Sequence, residues 1–226
     1  MAFHLDAKRV VLTGGNGGLG GAVVDAFVAA GAVCCLPQRG PVAESRPGVE
    51  VVAGVDLTNE AHVTAFYARL PPIWASVHIA GGYAGAPFVD TTLDAFHEQL
   101  DMNLTTAFLC CREAVRSMKR GGAGRIVNVC SKAALVPSGG AVAYAVSKAG
   151  VAALTRSLAE EVKADGIWVN AVAPSIIDTR ANRAAMPKAD PAPWPKPSEI
   201  AKAILWLASP ENGLTTGAVV PVYGST

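Results

Sequence analysis

A chain of 226 residues with 51% hydrophobic and 16% charged side chains is the size of one large α/β domain with a sizeable core. Its formal net charge of +1 argues against nucleic acid as a partner, and no basic run suits an anionic membrane surface. No apolar run approaches the ~20 residues that span a bilayer. The polar start Met1-Ala2-Phe3-His4-Leu5-Asp6 lacks a signal-peptide core, so a cytoplasmic protein is expected. The five cysteines, Cys34, Cys35, Cys110, Cys111 and Cys130, are odd in number, lie in apolar runs and have no zinc-site spacing. They read as buried reduced thiols, and no metal site is expected.

In chain order, Val10-Val11-Leu12 reads as a buried strand. Thr13-Gly14-Gly15-Asn16-Gly17-Gly18-Leu19-Gly20 follows at once, and Ala22 to Ala30 reads as a helix ended by Gly31. Strand, glycine-rich turn and helix open a dinucleotide-binding unit: the glycines admit a pyrophosphate, and the helix N-terminus offers free N–H groups. Val33 to Leu36 is a second strand, whose end should meet an adenosine ribose. It carries Pro37-Gln38-Arg39 and no carboxylate there. Arg39 can pair with a 2′-phosphate, which favours NADP(H); Gln38 can bond a plain ribose, which keeps NAD(H) open.

Residues 40–48 read as a Gly- and Pro-containing loop, and Val49 to Ala53 as a third strand. Asp56, beside Leu57, can accept from an adenine amino group or start the helix expected over Glu60 to Leu70. Ala75 to Ile79 is a fourth strand that runs into the glycine-rich turn Ala80-Gly81-Gly82-Tyr83-Ala84-Gly85. His78, alone in an apolar strand, reads as a satisfied core residue. A long helix is expected from Leu93 to about Lys119, with Asn103 inside it either wet or specifically bonded. Arg125 to Cys130 is a fifth strand, and Ser131 stands at its carboxyl end, where parallel sheets bind ligands. A helix over about 142–164 carries Tyr144 and Lys148. Ile167 to Val172, Glu199 to Ala208 and Ala218 to Val222 read as strand, helix and strand. The proline-rich residues between, about 175–198, read as a lid, a pocket wall or a plain loop. The pattern predicts one domain over 1–226: a Rossmann-type, doubly wound parallel α/β sheet of about seven strands with helices on both faces.

Tyr144 and Lys148 lie one helical turn apart, so an ammonium can stabilise the phenolate and pull the tyrosine pKa down. A tyrosine tuned this way can give a proton to a carbonyl oxygen or take one from an alcohol. With Thr13, Gly14, Gly18 and Gly20 in the pattern Thr-Gly-x-x-x-Gly-x-Gly, and with Asn103 and Ser131, the pair resembles the short-chain dehydrogenase/reductase family over essentially the whole chain.

That resemblance implies an NAD(P)H-dependent oxidoreductase acting on a ketone, aldehyde or secondary alcohol. Tyr144 would be the general acid or base, Lys148 would lower its pKa and hold the nicotinamide ribose, Ser131 would polarise the carbonyl, and Asn103 would hold a water linked to Lys148. The cofactor would lie against Thr13, Gly14, Asn16, Gly18, Leu19, Gly20, Gln38, Arg39, Asp56, Leu57, Ala80, Gly81, Gly82, Tyr144, Lys148, Pro174, Ile177 and Thr179. Tyr83, Val136, Pro137, Ile176, Met186 and Trp194 are the expected substrate pocket; Arg180 and Arg183 are the nearby cations of unknown placement. The family implies a homodimer or homotetramer built on the two long helices. His78-Ile79-Ala80-Gly81 and Pro174-Ser175 depart from the family's usual Asn-Asn-Ala-Gly and Pro-Gly. The turn at residues 80–85 and the stretch Ile177 to Trp194 are similar to dihydropteridine reductases, which makes pterin reduction the second reading. Against it stand Ser131, which those enzymes lack, and Gln38 in place of an acidic residue. A non-catalytic dinucleotide sensor is the third; it would need only the glycine turn.

Overall fold

The computed structural model describes residues 3–41 and 46–226; residues 42–45 of the loop expected over 40–48, and the first two residues of the chain, lie outside the described residues. Seven strands form one parallel sheet: β1 (Arg9–Thr13), β2 (Val33–Pro37), β3 (Val49–Val52), β4 (Ala75–His78), β5 (Gly124–Val129), β6 (Ile167–Pro174) and β7 (Val219–Val222). Their spatial order is β3-β2-β1-β4-β5-β6-β7. Every pairing is parallel, with Val10 opposite Cys34 on one side and Ala75 on the other. The order reverses between β1 and β4, and a crevice opens at their carboxyl ends.

Alternation along the strands divides the core between the two faces. Val10 and Leu12 of β1 pack with Val23, Val24 and Phe27 of α1 (Gly20–Ala29) and with Ile200, Ile204 and Leu207 of the last helix, Pro197–Ala208. Val11, pointing the other way, packs with Val63, Phe66 and Tyr67 of α2 (Glu60–Ala68) and with residues of the helices over that face. Phe27 is fully buried, which stabilises the fold by about 2–3 kcal/mol. The five cysteines are free and buried, as expected, and burial raises the pKa of each thiol.

The helix expected from Leu93 to Lys119 is not uniform. α3 (Leu93–Leu100) passes through a π turn at Asp101–Thr105 into α4 (Thr106–Gly121). The widened turn releases carbonyls that side chains take up: Asn103 Nδ2 donates to Gln99 O at 3.1 Å and Thr106 Oγ1 to Met102 O at 2.8 Å. α5 (Val142–Val162) follows β5. Between β6 and the final helix the chain forms a short α6 (Arg180–Ala185), so the proline-rich stretch is not wholly irregular; the final helix is α7. Among the described residues no helix is long and apolar enough to cross a membrane, and no cluster of metal-ligating side chains is gathered.

His78 is the satisfied core residue the sequence suggests. It sits in a buried chain of hydrogen bonds: Tyr67 hydroxyl to Ser76 Oγ (2.8 Å), Ser76 Oγ to His78 Nε2 (2.8 Å), His78 Nδ1 to Asn128 Oδ1 (2.8 Å) and Asn128 Nδ2 to Thr155 Oγ1 (2.9 Å). Thr155 ends the chain on Val151 O. Each bond can point the same way only if the imidazole is neutral, with its proton on Nδ1. Burial also lowers the His78 pKa to about 4.

Candidate active site

A cleft of about 1240 Å³ lies over the carboxyl ends of β1, β2, β4, β5 and β6. It exceeds the ~300–1,000 Å³ of a typical small-ligand pocket. One end is the glycine turn after β1. There the backbone packs where no side chain could: a Cβ on Gly14 would come within 2.7 Å of Ala80 N, and one on Gly20 within 2.0 Å of the Gly14 carbonyl oxygen. The first residues of α1 have no side-chain cap, whereas Asn59, Thr92 and Thr179 cap α2, α3 and α6. Bare glycines opening an uncapped helix beside a large cleft fit a pyrophosphate.

Gly14, Asn16, Gly18, Leu19, Gln38, Arg39, Asp56, Leu57, Ala80, Gly81, Gly82, Ser131, Tyr144, Lys148, Pro174 and Ile177 line this cleft, together with Tyr83, Val136, Pro137, Ile176 and Met186. Five expected residues are not on its wall. Thr13 is buried, and its hydroxyl accepts from the backbone N–H groups of Ile79 (3.1 Å) and Ala80 (3.2 Å), tying the two glycine turns together. Gly20 lies behind Gly14. Thr179 spends its hydroxyl on the Asn182 N–H at the start of α6 and sets its methyl against Gly18. Asn103 lies behind the second turn: Oδ1 accepts from Gly82 N–H at 3.1 Å, and Nδ2 donates to Gly82 O at 3.0 Å. Trp194, expected in the substrate pocket, is buried and does not line the cleft.

Asp56 does not start α2; Asn59 does, accepting from His62 N–H at 3.2 Å. Asp56 Oδ1 instead accepts from the Thr58 N–H (3.0 Å) and hydroxyl (2.8 Å) and from Arg39 Nη2 (2.9 Å). These bonds, those of Thr58 foremost, hold its carboxyl below the usual range. Gln38 accepts from Asn16 and donates to Gly40 O and Pro41 O. Arg183 forms a two-pronged pair with Asp178 at 2.5 and 2.8 Å, which leaves it no free fork for a substrate anion, and Arg180 is exposed and off the wall.

Ser131, Tyr144 and Lys148 meet on the cleft floor. Lys148 Nζ donates to Val129 O at 2.9 Å and stands 6.0 Å from the centre of the Tyr144 ring. A Cβ on Gly81 would touch both Lys148 Nζ (3.4 Å) and Asn103 Oδ1 (2.5 Å), so these two groups flank the same backbone position. Burial lowers the Lys148 pKa to about 8. The Tyr144 pKa does not fall as the helical spacing suggests. Burial raises it, the nearby Ser131 hydroxyl only partly offsets that, and the Lys148 ammonium donates to the Val129 carbonyl. The Tyr83 ring closes over Tyr144 edge-on, with centres 5.0 Å apart.

The family profile described as short chain dehydrogenase matches residues 8–190. The chain belongs to the short-chain dehydrogenase/reductase family. It is 37% identical over 248 residues to a galactitol 2-dehydrogenase of Rhizobium johnstonii, covering 97% of this chain and 95% of that one. It is 33% identical over 228 residues to the 3-oxoacyl-[acyl-carrier-protein] reductase MabA of Mycobacterium tuberculosis, covering 96% and 92%. A crystal structure from Beutenbergia cavernae, described as a candidate NAD(P)-dependent gluconate 5-dehydrogenase with NADP bound at low occupancy, superposes with a TM-score of 0.88 at 27% identity, covering 99% and 98%. This short-chain dehydrogenase/reductase is therefore an NAD(P)-dependent oxidoreductase of alcohol and ketone groups, and neither pterin reduction nor a non-catalytic sensor is favoured.

Proposed function

We propose that the chain is a one-domain, cytoplasmic carbonyl reductase in which Tyr144 gives the proton, Ser131 holds the carbonyl oxygen and Lys148 supplies the local positive charge. The observation that carries this reading is the meeting of those three side chains in one cleft with the glycine turn. The bound nicotinamide would supply the hydride. A buried tyrosine with a raised pKa stays protonated at neutral pH, which suits donation to a carbonyl better than abstraction from an alcohol. The Ser131 hydroxyl, fixed by the Ala133 N–H at 3.2 Å, can donate to the same oxygen. Lys148 would face the nicotinamide ribose, with Asn103 holding the Gly82 backbone that borders it.

Arg39, exposed at the β2 end of the cleft, supports NADP(H) over NAD(H). Exposed Phe108 on α4 and Val146 on α5 support a homodimer or homotetramer built on those helices. The segment at 175–198 is read as a wall of the substrate end, contributed through Ile176, Asn182 and Met186.

The experiment is cofactor oxidation followed optically over ketones, aldehydes, quinones and quinonoid dihydropterin, with NADPH and NADH side by side. Tyr144→Phe should cut kcat about a hundredfold or more while leaving cofactor binding intact. Undiminished turnover would remove Tyr144 from the role of proton donor.

A further inference from the structure

The substrate end of the cleft carries a cation that the reaction does not use. Lys132 follows Ser131 directly and lines the same wall. Its Nζ stands 5.1 Å above the ring centre of Tyr223, in the segment after β7. That segment is anchored by Ser175 Oγ, which donates to Tyr223 O at 2.7 Å, and it reaches the cleft again at Thr226.

The other charges on the wall are placed or spent differently. Arg39 and Asp56 pair with each other at the β2 end, and Lys148 donates to Val129 O on the floor. Glu98 and Asp101 line the cleft from α3 and its π turn and make no ion pair among the described residues. Lys132 makes no ion pair among the described residues. The aromatic face limits where its ammonium can swing without neutralising it. The same cleft carries the apolar side chains of Tyr83, Val136, Pro137, Ile176 and Met186.

Resting on the carbonyl-reductase reading, the geometry points to an oxo or hydroxy acid as substrate: an apolar body against those side chains, and a carboxylate that pairs with Lys132. Ser131 and Lys132 are neighbours in the chain and both line the cleft, so one substrate can reach both. A lysine is a point charge on a flexible stem, so it would select the charge more strongly than the shape of the acid.

The test separates binding from turnover. Cyclohexanecarboxylate and the neutral cyclohexanecarboxamide are titrated calorimetrically into the full chain with NADP+ present. The acid is expected to bind about tenfold more tightly, as one charge-assisted hydrogen bond provides. Raised salt should shrink that ratio. Lys132→Met should bring it close to one, and Lys132→Arg should keep most of it. A wild-type ratio near one, a ratio that survives Lys132→Met, or binding of neither compound would overturn the assignment. Turnover of 4-oxocyclohexanecarboxylate is measured alongside. An acid preference in binding without any hydride transfer would count against the reductase reading and leave the role of Lys132 standing.

Discussion

The buried imidazole of His78 makes a sharp prediction about acid stability. Protonating it would place a second N–H against Ser76 Oγ, forcing that hydroxyl to turn and taking the acceptor from Tyr67 in a region with no water-facing side. The folded protein therefore holds the ring neutral down to about pH 4, whereas an unfolded chain protonates it near the ordinary value of 6.5. Because the folded pKa is depressed for a base, the unfolded state binds the extra proton between those two values. Stability is thus complete above about pH 6.5, falls as the pH drops toward 4, and changes no further from this group below that. The interval corresponds to about 3 kcal/mol, at ~1.4 kcal/mol for each pKa unit. The assay is urea unfolding at a series of pH values for the wild type and for His78→Asn, which cannot titrate. Subtracting the two curves cancels the carboxylates that titrate in the same range. The wild-type advantage should shrink by about 3 kcal/mol on going from pH 7 to pH 4. A difference that stays constant across this window would refute a neutral, fully paired His78.

Three other substitutions follow from the cleft. Arg39→Ala should weaken NADPH binding at least tenfold and NADH binding little, by fluorescence titration; equal loss would make Arg39 only a loop charge, already content with Asp56. Asn103→Ala removes three hydrogen bonds and strands the Gly82 amide and carbonyl, so urea unfolding should show a loss of about 2–4 kcal/mol. Gly20→Ala puts a methyl against the Gly14 carbonyl and should cost tenfold or more in cofactor affinity, with far-ultraviolet circular dichroism unchanged; undiminished affinity would mean that the turn relaxes freely.

What could be read from the sequence was whatever a short local pattern dictates. Val10-Val11-Leu12 running into glycines requires a buried strand and a bare turn, and parallel topology then puts Ser131 and Tyr144 at the same end of the sheet. The π turn was not legible, because the apolar spacing on either side of Asp101–Thr105 stays helical; only the unfavourable Asn103 hinted that something local was being satisfied. Asp56 was expected to start α2, but the role fell to Asn59, which the sequence did not single out, because which side chain reaches a backbone N–H is a matter of one turn's dihedral angles. The Tyr144 pKa went the other way because helical spacing fixes where Lys148 begins and not what its ammonium meets at the end of four methylenes. Trp194 looked like a wall residue among prolines, and only the tertiary packing decides which side of a loop an indole faces. Lys132 could have been noticed from its place beside Ser131, but its bearing on the cleft depends on Tyr223, more than ninety residues away.

The segment after β7 has a practical bearing on handling the protein. Ser225 N–H donates to Pro193 O at 3.0 Å, the Gly224 backbone packs on Pro193 and Pro195, and Thr226 stands at the cleft. Any affinity tag fused after Thr226 would emerge at the wall of the cleft. Residues 3–8 lie at the amino ends of the central strands, where Leu5 N–H donates to Ala30 O at 2.7 Å and Lys8 covers the Trp74 ring. A tag placed ahead of them leaves that wall clear, so activity measured with fusions at the two ends should differ for reasons that have nothing to do with folding.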